Sequence, residues 1–97
     1  MTYEEFRESL GFDRPPPALA PLLQALWHLD KGDWHRSHEI AQAIESPDAA
    51  WVHAHLHRVE GDVWNADYWY RRAGRQRPEV PLEDERAELV TALLRTS

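Results

Sequence analysis

Cysteine is absent from this 97-residue chain, which removes disulfides and thiolate chemistry and leaves the redox compartment open. An excess of positive charge is also missing. Seventeen acidic residues outnumber eleven Lys and Arg, for a formal net charge of −6. Such a surface disfavours nucleic acid and anionic membrane as general partners, because phosphate binding needs positive potential over the contact face. No apolar run is long enough to span a bilayer. The N-terminus, Met1-Thr2-Tyr3-Glu4-Glu5-Phe6, is acidic and lacks the apolar core of a signal peptide, so the expected location is the cytoplasm. No segment alternates apolar and polar residues as a half-buried strand does. Nucleophile-elbow and phosphate-loop glycine patterns are missing too, and the chain is read as a binding protein rather than an enzyme, with no catalytic residue assigned.

What is present is a repeated phrase. Lys31-Gly32-Asp33-Trp34 returns as Glu60-Gly61-Asp62-Val63-Trp64, with the glycines 61 − 32 = 29 positions apart. Each phrase closes one amphipathic stretch and opens another. Gly suits the residue after a helix C-terminus, and Asp suits the cap of the next helix. A fixed period in this range points to stacked helical hairpins. The predicted helices cover 2–10, 18–31, 34–45, 47–60, 63–74 and 81–95, with Pro15 to Pro17 holding a linker extended. Ser46-Pro47-Asp48 is a cap, first-position proline and first-turn acid in sequence. The expected fold is all-α, one domain over 1–97. It divides into an N-terminal helix and linker (1–17), a first hairpin (18–46), a second hairpin (47–78) and a C-terminal helix (79–97). The two end helices act as caps on antiparallel hairpins.

The second unit resembles a tetratricopeptide repeat. Gly61, Ala66, Tyr70, Ala73 and Pro78 stand in the register that family uses for its turn glycine, small residue, aromatic, alanine and proline. The first unit keeps Gly32 but has Ser37, Ala41 and Ile44 at the next three positions, and the period of 29 is shorter than the usual 34. The segment from Leu56 to Gly74 is also similar to a group of small bacterial proteins without an assigned function. The tetratricopeptide resemblance implies a groove for a protein or peptide, lined by the first helix of each hairpin. In the second unit that helix offers Trp51, His55 and Arg58 as partner-binding residues. Trp69 and Arg72 belong to a neighbouring aromatic and arginine-rich segment that also contains Arg71, Arg75 and Arg77. Guanidinium forks there suit a carboxylate or phosphate, against the alternative of offsetting a helix dipole and pairing with Glu83, Asp84, Glu85 and Glu88.

Six histidines fall in two groups, His28, His35 and His38, then His53, His55 and His57. His53 and His57 are four apart and share a helix face. His28 and His57 hold equivalent places four residues before their glycines. His28, His53 and His57 are therefore candidate ligands for zinc or copper, set against packing roles for the same rings. His38-Glu39-Ile40-Ala41-Gln42 misses the zinc-protease helix motif at its last position. The expected function is a protein- or peptide-binding module, with a metal- or small-ligand-binding protein as the alternative. Both a monomer and a homodimer formed through the terminal helices fit the pattern.

Overall fold

A computed structural model describes residues 1–96, so the last residue of the predicted 79–97 unit lies outside the described residues. Among the described residues there are six helices and no strand. They are α1 (Tyr3–Ser9), α2 (Pro21–Asp30), α3 (Trp34–Gln42), α4 (Pro47–Val59), α5 (Val63–Arg72) and α6 (Leu82–Thr96). Among the described residues no helix is long and apolar enough to cross a membrane. The all-helical expectation holds. Some bounds shift for local reasons: α2 begins at Pro21 rather than residue 18, because the proline occupies the first turn with Ala20 as its cap.

The repeated phrase is one device used twice. Gly32 and Gly61 adopt φ of 88° and 84°, a left-handed conformation that side chains resist. The next N–H then reaches back to the helix. Asp33 N donates to His28 O and Asp62 N to His57 O, each at 2.9 Å. Those aspartates turn at once into caps, accepting from Arg36 N and Asn65 N. A single Gly-Asp pair thus ends one helix and starts the next with almost no connection.

Helix α4 occupies the centre. It packs against α5 most extensively, and also against α3, α6 and α2; α2 in turn packs on α3, and α6 covers α1 and α2. The sequence of α4 explains its place, since Ala49 to Leu56 are buried without a break. A helix buried around its whole circumference must satisfy any polar side chain it carries through its neighbours. His53 and His55 are such side chains, and they point the way to the two polar clusters of the molecule. Around them the core closes with Phe6, Leu23, Leu26, Leu56, Leu89 and Val90.

Candidate metal centre

Three imidazoles meet at the seam between α3 and α4. His53 and His57 lie one turn apart on α4, with rings 4.9 Å apart and 24° from parallel. His38 comes from α3, and its Nε2 stands 3.0 Å from His53 Nε2. One ring nitrogen from each of the three lies within 4.8 Å of the others. Helix α3 aims His38 by a local contact, since Trp34, one turn earlier, stacks on it at 4.9 Å and 11°. Trp34 is itself anchored across the seam by its Nε1, which donates to Leu56 O at 2.8 Å. Helix α5 contributes Trp69, stacked on His53 at 3.9 Å and 11°. The ligand rings are therefore clamped between indoles, which fixes their planes.

The surroundings hold two of these rings, His38 and His53, towards the neutral form. Burial, then the neighbouring His38 and His57, hold His53 down to about 4. Burial also lowers His38, with His57 adding to the effect. Neutral imidazoles carry the lone pairs that a metal needs. At His57 the tautomer is set by Glu60, whose Oε1 is 2.6 Å from His57 Nδ1. The proton on Nδ1 is donated to the carboxylate, leaving Nε2 free as a ligand. This carboxylate–histidine pairing is the usual outer support of a metal-bound imidazole. A second grouping of His57, Glu60 and Asp62 also brings ligand atoms together. In it, however, Asp62 is engaged as the α5 cap, with Oδ1 accepting from Asn65 N and Oδ2 from Asn65 Nδ2.

A zinc or copper ion with Zn–N bonds near 2.0–2.1 Å separates tetrahedral nitrogens by about 3.3 Å. The His38–His53 pair is already close to that spacing. The donor set is three imidazole nitrogens, a type that suits zinc or copper(II).

The sequence-derived candidates divide among three places. His53 and His57 are in the cluster. His28 is not: its ring contact is with Trp27, the residue beside it on α2. Repeat equivalence with His57 misleads here because α2 has no preceding hairpin to supply the partner rings. His38 takes its place. Its signal was the i, i+4 spacing to Trp34, which marks one face of a short helix.

Trp51, His55 and Arg58 do not form one open groove, and this corrects the expectation placed on them: only Trp51 reaches a surface cavity, which it shares with Tyr3, Arg75 and α6 rather than with His55 or Arg58. Trp51 and His55 are buried, and Arg58 is largely covered. All three converge on Glu85 of α6. Glu85 Oε1 receives His55 Nδ1 at 2.6 Å and Arg58 Nη1 at 3.1 Å, and Oε2 receives Trp51 Nε1 at 3.3 Å and Tyr70 OH at 2.5 Å. Arg58 also donates to Val80 O. Arg86 Nε donates to His55 Nε2 at 3.1 Å, so the His55 proton sits on Nδ1, facing the carboxylate. Arg86 is tied in turn to Asp30 on α2. Burial alone pushes the Glu85 carboxyl up, but hydrogen bonds from His55, Tyr70 and Arg58 outweigh it and hold Glu85 at about 2. Burial and the adjacent carboxylate push the Tyr70 phenol well up. This network joins α4, α5 and α6 with both oxygens of the carboxylate used. Among the described residues the arginine-rich segment makes no ion pair with Glu83, Asp84, Glu85 or Glu88; Arg77 binds Asp67 instead, and the Arg75 guanidinium lies 3.4 Å over the Trp51 ring.

Trp69 and Arg72 line a cleft of about 340 Å³ between the end of α3, the start of α4 and α5, and His53 lines it with them. They are thus neighbours of the histidine cluster rather than of Trp51. Compared with family models, curated proteins and solved structures, the chain shows a match to none.

Proposed function

We propose that this protein binds a divalent transition metal, zinc or copper(II), through Nε2 of His38, His53 and His57. The observation that carries the proposal is the convergence of three largely buried imidazoles, two of them held neutral, with Glu60 positioned to orient the third. In the metal-free fold His38 Nε2 and His53 Nε2 share one hydrogen bond at 3.0 Å, so one of the two lone pairs is used by the other ring's N–H. A metal ion engages all three rings at once. The site bridges α3 and α4, so bound metal links the two halves of the chain.

Equilibrium dialysis of the metal-free protein against zinc tests this. The expected result is one zinc per chain, with His53→Ala losing at least 10-fold in affinity. Zinc bound equally well by His53→Ala would remove the proposal.

A second reading, a protein- or peptide-binding surface, is favoured by Trp64. It is 78% exposed, beside partly exposed Val63 and Tyr68, on a helix whose main packing partner is α4. Exposed aromatics with nearby arginine are frequent anchors of interfaces. If Trp64 anchors self-association, light scattering at rising concentration detects a dimer that Trp64→Ala abolishes. An unchanged monomer in both would rule out the homodimer.

A further inference from the structure

We infer that the cleft beside the metal site takes a small monocarboxylate with a short apolar tail, held between Arg72 and the His53 ring. The inference rests on the proposed metal site. His53 turns Nε2 towards His38 across the seam, and its ring still lines the cleft. The residue is only 6% exposed, and among the described residues no hydrogen bond engages its Nδ1, which, unlike Ser37 Oγ, is not sealed from solvent. When Nε2 holds a metal, Nδ1 must carry the proton. A metal-bound imidazole almost always donates that N–H to a carboxylate, a carbonyl or water. Glu60 fills this role for His57. For His53 the protein supplies no acceptor, and the cleft is where one can enter.

Arg72 supplies the charge. Its guanidinium lies 5.1 Å over Trp69 and 5.8 Å over Tyr68, and Nη1 donates to Tyr68 OH at 3.1 Å. Among the described residues no carboxylate pairs with it. Arg72 is exposed and held near two rings, and the N–H groups not bonded to Tyr68 can grip a planar anion side by side. The opposite wall is mixed. Ala41, Ile44, Pro47 and Ala50 present methyl and methylene groups, while Glu45 adds one negative charge. A single carboxylate with a short hydrocarbon tail matches this lining. A dianion or phosphate meets Glu45 repulsion without a second cation. Carboxylate and metal then favour one another. The anion accepts from His53 Nδ1–H and raises the basicity of Nε2, and by linkage the metal strengthens anion binding equally.

The test is zinc affinity, measured by competition with a chromophoric chelator, in sodium propionate and in sodium chloride of equal ionic strength. The expected result is zinc binding about 10-fold tighter in propionate for the native chain, with that gain absent in Arg72→Ala. Zinc bound with the same affinity in both salts, or an equal propionate gain in Arg72→Ala, overturns the carboxylate site and leaves the metal site standing. Absence of zinc binding in either salt overturns the metal site and this inference with it.

Discussion

At the scale of single residues, the chain spends its polar side chains unevenly. Glu85 has four donors on two oxygens, whereas Ser37, wholly buried on α3, has an Oγ without a partner. A buried hydroxyl left unpaired costs roughly 1–3 kcal/mol, and the position tolerates nothing large. Ser37→Ala keeps the small volume and removes the orphan oxygen. It should raise unfolding stability by about 1 kcal/mol in urea titration. Ser37 takes the place that Ala66 holds in the second unit, which shows why a small residue was legible there. Its unpaired hydroxyl was not, because partners depend on neighbours in space. The same limit applied to the histidines. That His53 and His57 share a face follows from spacing alone. That His38 rather than His28 joins them depends on which helix lies across the seam.

At the scale of helices, the punctuation was the most legible part. Gly-Asp pairs and Ser46-Pro47 mark ends and starts through backbone chemistry that needs no tertiary context, whereas the predicted second helix passes over Pro21 and begins at 18. The faces were harder. Helix α4 carries His and Trp among its apolar residues, which suggested an accessible binding face. It is instead buried all round, and its polar groups serve to dock α6. Glu85 is the centre of that docking, so Glu85→Gln should cost roughly 3 kcal/mol or more of stability. The pH dependence has a definite sign. The folded Glu85 sits near 2 against an ordinary 4.5, so its stabilisation is full above 4.5 and is lost as pH falls towards 2. His53 acts earlier in acid. Its folded value near 4 lies below the ordinary 6.5, so the unfolded chain takes up the proton first, and stability declines as pH falls from 6.5 to 4. Urea titrations at a series of pH values should show both declines in the native chain and only the upper one in Glu85→Gln. A lower decline of unchanged size in the variant would assign acid sensitivity to other carboxylates.

At the scale of the whole molecule, two polar clusters flank the central helix on opposite duties. One is closed: Glu85 with its four donors locks α6 onto α4 and α5. The other is open: three imidazoles, two of them held neutral, sit between indole planes beside a cleft. An ion bound only by the folded chain stabilises it in proportion to affinity and concentration, so metal and fold are linked. The central claim is that His38, His53 and His57 share one ion through Nε2. The most direct measurement is two-dimensional NMR of the histidine ring nitrogens of a ¹⁵N-labelled chain during zinc addition. The account predicts that Nε2 of those three rings shifts together, saturating at one zinc, while the rings of His28, His35 and His55 stay in place. Zinc that moves a different set of rings, or none, would contradict it.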